Sequence, residues 1–186
     1  MKVIGAVGQN GSGKDEILKY LKAAYGVPFF STGDMVRRIA AEEGLEATRD
    51  NLRAISERWF RERGEGCFVR LLTARIKEEK CRTVGISGIR SLADVTILRE
   101  SFGDDFILIR VTMSDPKQRY ERMVARGEER DPHSYEQFLA LDRKEEELFH
   151  IEEAGRQAQY TIGNDETLED LHRAIDKLLA SKGFLE

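Results

Sequence analysis

The stretch Val3-Ile4-Gly5-Ala6-Val7-Gly8-Gln9-Asn10-Gly11-Ser12-Gly13-Lys14-Asp15-Glu16-Ile17-Leu18 decides how the rest of the chain is read. Val3 to Val7 is a short apolar run with the character of a buried strand. Gly8, Gly11 and Gly13 then let the backbone curl so that successive N–H groups point inward. Ile17, Leu18, Leu21 and Ala24 recur at helical spacing, and Gly26 is a suitable helix stop. A strand, a glycine-rich turn ending in lysine and then a helix make an anion cradle from N–H groups, a helix N-terminus and an ammonium. The spacing G-x-x-x-x-G-K fits a nucleotide triphosphate, with the Lys14 charge between the β- and γ-phosphates. The expected ligand is ATP. The expected donor-site residues are Gly8, Gln9, Asn10, Gly11, Ser12, Gly13, Lys14, Asp15 and Glu16.

One position departs from the pattern. A Ser or Thr normally follows the lysine and gives its hydroxyl to Mg²⁺. Here Asp15 follows, and then Glu16. A carboxylate oxygen suits a hard cation, so Asp15 is a candidate Mg²⁺ ligand. The same residue also favours a helix start electrostatically, with no metal involved.

Bulk properties bound the alternatives. A length of 186 residues fits one domain, 1–186, and 40% hydrophobic with 34% charged residues provides one core under a charged surface. The net charge of −4 lacks the basic footprint that nucleic acid or an anionic membrane demands. Cys67 and Cys81 have no metal-ligand spacing and read as free, buried thiols. The first apolar run is too short for a signal peptide, and no stretch has the length of a membrane span. The expectation is a cytoplasmic protein with small nucleotide substrates, monomeric or homodimeric.

Outward from the loop, strand and helix patterns alternate. Strand patterns cover Val27 to Phe30, Thr83 to Ile86, Phe106 to Val111 and Tyr160 to Ile162. Helical patterns run from Thr32 toward Gly44, from Thr48 to Arg63, and then past Phe68, Leu72 and Ile76. Others carry Leu92, Val95, Leu98 and Phe102, start at Asp115-Pro116, or follow the capping pairs Ser134/Gln137 and Thr167/Asp170. This alternation implies an α/β fold with a parallel sheet covered on both faces. The helical stretch between strands two and three, about 32–80, is placed to form a flap. The acidic run Asp142 to Glu147 reads as a solvated helix face.

Ser31-Thr32-Gly33-Asp34-Met35-Val36-Arg37 resembles the monophosphate-binding segment of adenylate kinases. That resemblance implies acceptor contacts from Thr32, Gly33 and Arg37, and an outer-shell Mg²⁺ contact from Asp34. A hydroxyl and helix N-terminus beside a guanidinium do suit a phosphate, although the same residues also make a plain helix cap. Ser87-Gly88-Ile89-Arg90 resembles the Asp-Gly-x-x-Arg of nucleoside monophosphate kinases and dephospho-CoA kinases. Gly88 and Arg90 match if the spacing shortens by one, and Ser87 replaces the Asp. Loop hydroxyl and strand-three carboxylate have thus changed places. The corresponding hypothesis is that Asp15 and Ser87 together serve Mg²⁺.

Arg119, Arg122, Arg126 and Arg130 run into a polar segment, about 126–134, where P-loop kinases carry a lid. The resemblance makes Arg126 and Arg130 catalytic candidates beside Lys14 and Arg90. Arg119 is then expected near the adenine or α-phosphate, and Asn164, in the turn Gly163 to Leu168, near the base. Over nearly its whole length the chain resembles an archaeal-type group of P-loop proteins related to adenylate kinase and dephospho-CoA kinase. Gly88 to Val95 and Arg126 to Pro132 carry this resemblance. It implies a three-layer P-loop NTPase sandwich with a five-stranded parallel sheet, order 2-3-1-4-5, plus acceptor flap and lid. Three functions stay open: a nucleoside monophosphate kinase using ATP and Mg²⁺, a dephospho-CoA kinase, or a nucleotide-binding regulator without transfer.

Overall fold

A computed structural model describes residues 1–128 and 131–184. Its centre is the strand β1 (Lys2–Val7), flanked by β3 (Thr83–Ile89) and β4 (Phe106–Thr112). β2 (Phe29–Ser31) lies outside β3, and β5 (Tyr160–Gly163) outside β4. All pairs are parallel, and the order is β2-β3-β1-β4-β5. Such pairing needs a crossover between neighbours, and helices supply it.

On one face pack α1 (Lys14–Tyr25) and α9 (Leu168–Ser181), through Ile17, Leu18, Leu21, Leu171, Ile175 and Leu179. Each is essentially inaccessible, worth about 1.5–3 kcal/mol per side chain. On the other face pack α4 (Cys67–Glu78), α5 (Leu92–Phe102) and α8 (Ile151–Arg156). β1 and most of β4 are therefore covered on both sides, which is why their sequences are almost continuously apolar.

α2 (Thr32–Glu42) and α3 (Arg49–Arg63) form the flap, with a small core of Val36, Ala40 and Ile55 against Phe68. α4 joins both: Phe68 faces the flap, while Val69, Leu72 and Ile76 enter the sheet's core. α4 is thus shared between the α2–α3 pair and the sheet's own layer. α6 (Pro116–Arg126) and α7 (Tyr135–Phe149) follow β4.

Four local features differ from expectation. β3 runs on through Ser87 and Gly88, and its register against β1 shifts there: Gly5 faces Ile86, but Val7 faces Ile89. An extra residue of this kind re-aims the neighbouring side chains. Ser134 accepts the Gln137 N–H, but the Gln137 side chain takes the His133 N–H, so the capping box is only half formed. His150, at φ 53, ends α7 and turns the chain into α8, a helix with no counterpart in the sequence reading. Cys67 is buried, whereas Cys81 is only half-buried.

Candidate functional site

The loop after β1 ends at Gly13, which caps α1 in the left-handed region at φ 93. No side chain caps this helix, so its first-turn N–H groups can face an anion. A Cβ at Gly13 would stand 2.2 Å from Asn164 Nδ2. Asn164 donates to the Ser12 carbonyl at 2.9 Å and is itself buried. Its amide therefore braces the loop.

Lys14 is buried, with Nζ 3.4 Å from the Gln9 carbonyl and 4.0 Å from Asp15. Burial pushes its pKa below the ordinary lysine value, and Arg90 and Arg126 add to this against Asp15 and Glu145. Ser87, buried at the bulge of β3, donates its hydroxyl to the Asp15 carboxylate. Burial pushes the Asp15 carboxyl up, but Lys14, the Ser87 hydroxyl, Arg90 and Arg126 together hold it below the usual range. The two exchanged residues are thus in direct contact.

A cleft of about 700 Å³ opens over this loop. Asn10, Gly11, Gly13, Lys14, Asp15 and Glu16 line one side, and Gly33, Asp34, Arg37, Ser87, Gly88 and Arg90 another. Arg122, Arg126 and Asn164 also reach it. A smaller cavity of about 50 Å³ adjoins under the flap. Thr32, Arg53, Glu145 and Phe149 line it, and Gly33, Arg37, Arg49, Gly88 and Arg90 belong to both spaces.

Each shared arginine is held. Arg37 pairs with Asp34. Arg49 lies 3.4 Å from Asp131. Arg90 lies over the Phe149 ring at 4.7 Å and donates to Glu145 at 3.1 Å. The backbone N–H of Arg90 is fixed by Asp94, which forms a complete capping box with Ser91 at the start of α5. Burial pushes the Asp94 carboxyl up against those hydrogen bonds. Thr32 donates to the Gly88 carbonyl at 2.8 Å, and a Cβ at Gly88 (φ +81) would come within 2.1 Å of that hydroxyl. Glycine is required there.

Other expected site residues lie in or behind the loop and not on the cleft wall. Gly8, Gln9 and Ser12 shape the loop without lining the cleft. Arg119 is not on the cleft wall. Its buried guanidinium makes a two-pronged pair with Asp142 at 2.7 and 2.8 Å and donates to the Asn10 carbonyl, bracing the loop. The acidic run is consequently more than a solvated face, because Asp142 holds Arg119 behind the loop and Glu145 holds Arg90 on the cleft wall. Arg130 lies outside the described residues. Sequence reasoning missed Arg49, Arg53, Asp131 and Glu145. Only the helical spacing of Arg49 and Arg53, four residues apart, offered a signal.

Among the described residues no group of three or more His, Cys, Asp and Glu forms a cation site. No helix among them is long and apolar enough to cross a membrane.

Comparison with known proteins agrees with this fold. Residues 7–139 match a family model described as an AAA domain. A shikimate kinase from Acinetobacter baumannii has the same fold, with a TM-score of 0.60 at 17% identity over 98% of this chain and 94% of its own. A gluconokinase from Sinorhizobium meliloti 1021 gives 0.60 at 18% identity, covering 98% and 96%. In sequence, a UPF0200 protein of Thermococcus onnurineus is 36% identical over 95% of this chain and 96% of its own length. One from Pyrococcus abyssi is 35% identical over 95% of both. With the P-loop kinase fold and these relatives together, the chain belongs to the archaeal UPF0200 family of AAA-domain proteins.

Proposed function

We propose that this protein is an ATP-dependent phosphotransferase acting on a nucleoside monophosphate or similar nucleotide-like acceptor. The observation that carries the reading is the shared wall. A triphosphate-sized cleft and a separate cavity meet at Arg37, Arg49 and Arg90. Two anionic substrates joined by a transferring phosphoryl group need fixed positive charge at that junction.

In this reading Lys14 and the loop N–H groups hold the β- and γ-phosphates. Thr32, Arg37 and Arg90 orient the acceptor phosphate. Arg126, from the end of α6, faces the transferring group. Mg²⁺ bound with a nucleotide keeps waters and phosphate oxygens and needs only one or two protein ligands. Asp15, charged and in contact with Ser87, fits that role. The metal would neutralise phosphate charge.

A second reading, transfer to a hydroxyl as in a dephospho-CoA kinase, draws support from the same contact. Ser87 brings the Asp15 carboxylate to the end of β3, where a hydroxyl acceptor needs a base. The test is an acceptor screen: protein, ATP and Mg²⁺ or Mn²⁺ with each NMP, dNMP and dephospho-CoA, reading ADP formed. Transfer to an NMP supports the first reading, and transfer to dephospho-CoA the second. Tight nucleotide binding with no transfer would instead indicate a nucleotide-binding regulator.

A further inference from the structure

Asp131 stands between α6 and α7 with its side chain only 4% exposed. It accepts from Arg126 Nε at 3.0 Å and from a terminal nitrogen of the same guanidinium, a two-pronged geometry that fixes the arginine plane. Arg49 Nη2, in the first turn of α3, lies 3.4 Å from the same carboxylate. The Glu128 N–H donates to Asp131 Oδ2 at 3.2 Å. Burial pushes the Asp131 carboxyl up, but the hydrogen bond and charge of Arg126, with help from Arg49, bring it below the usual range. It is a carboxylate at neutral pH.

One buried acid therefore grips an arginine of the donor cleft and an arginine common to both cavities. The two arginines sit on elements far apart in the chain, and this one carboxylate contacts both. We propose that Asp131 is a positioning residue that aims Arg126 into the donor cleft and ties it to the flap, so that α3 responds when nucleotide binds. This rests on the donor-site reading above and extends it to communication between the two sites. A phosphate entering the cleft shares the Arg126 guanidinium with Asp131. The carboxylate follows Arg126, and Arg49 follows the carboxylate.

Hydrogen exchange of the full chain tests this, with Mg²⁺ and the non-hydrolysable analogue adenylyl imidodiphosphate as the probe. In the wild type, exchange slows both in the loop 8–14 and in the first turns of α3. In Asp131→Asn the loop still slows, while the slowing in α3 is lost. Arg49→Gln reproduces that loss, and the double variant is no worse, as expected for one shared interaction. Simple loosening of the structure would not remove the response of α3 selectively. Full slowing of α3 in Asp131→Asn overturns the proposal, and so does a wild type whose loop responds while α3 does not. A wild type with no response in the loop overturns the donor-site reading instead. The tie is then decided without nucleotide: the first turn of α3 must exchange faster in Asp131→Asn, and unchanged rates reject it. If Asp131→Asn exchanges faster throughout β1 and β4, its fold is compromised, and Arg49→Gln alone decides by the same criteria.

Discussion

The loop after β1 and the cavity under the flap present positive charge by opposite constructions. The loop is one short run of backbone between β1 and α1, shaped by glycines at positive φ and braced by Asn164 and Arg119. Its N–H groups are fixed before any ligand arrives, and no side chain caps the helix end. The cavity is made mainly of side chains from α2, α3 and α7, with Arg90 from the turn after β3. Its arginines each have an acid beside them: the exposed Asp34 for Arg37 and Asp50 for Arg53, and the more buried Asp131 for Arg49 and Glu145 for Arg90. Half-buried guanidiniums without counterions would be costly, and these acids offset that cost. A ligand of the loop fills a ready cradle. A ligand of the cavity exchanges places with carboxylates, so its affinity is a difference between two sets of ion pairs.

The comparison breaks most visibly at Lys14. Lys14→Ala should lower transfer by about 10²–10³-fold, the scale for losing one transition-state charge contact, with the fold intact. Normal ADP formation by that variant would place the donor site elsewhere. Arg90→Ala should lower kcat/KM for the acceptor by about a hundredfold and change ATP affinity little. Arg90→Lys should restore little, because the planar fork is lost. An equal fall in ATP affinity, measured by calorimetry, would show that the two spaces are one site.

Smaller effects sharpen the contrast. Gly88→Ala should cost about 1–3 kcal/mol in thermal denaturation, because a Cβ there collides with Thr32 and the φ is left-handed. A melting temperature equal to that of the wild type would refute the close approach. Ser87→Ala should cost about 1 kcal/mol or less near pH 7, since Asp15 remains partly solvated. Its sign with pH is fixed. The folded Asp15 carboxyl lies below its ordinary value of about 3.9, so its contribution is full above that value. That contribution is lost as pH falls through the lower folded value, so wild type and Ser87→Ala should converge in acid. A stability gap that persists at low pH would mean that the Ser87–Asp15 bond is not its source.

The same contrast explains what could be read from the sequence. The loop, its strand and its helix are local, and glycine position, lysine spacing and apolar period carry them. The Thr167–Asp170 box was legible for the same reason, since both partners lie within one turn. The pairing of Arg119 with Asp142 could not be read in this way, because Asp142 is on another helix. The acidic run of α7 looked solvated because the period of a helix says which residues share a face, and not what that face meets.

The sequence by itself determined a parallel α/β fold, the phosphate loop and the candidates Thr32, Arg37 and Arg90. The loop and the candidates are carried by motifs of a few consecutive residues, the candidates through a family resemblance, and the fold by the alternation of strand and helix patterns along the chain. Only the tertiary structure decided that Asp15 meets Ser87, that Glu145 holds Arg90, and that Asp131 spans Arg49 and Arg126. Those contacts join residues 72, 55, 82 and 5 positions apart. All but the last depend on how the sheet order and helix packing bring separate elements together. Asp15 thus ends as more than a departure from a motif: at the bulge in β3 it accepts a hydrogen bond from Ser87, a hydroxyl of the kind missing from the position after Lys14.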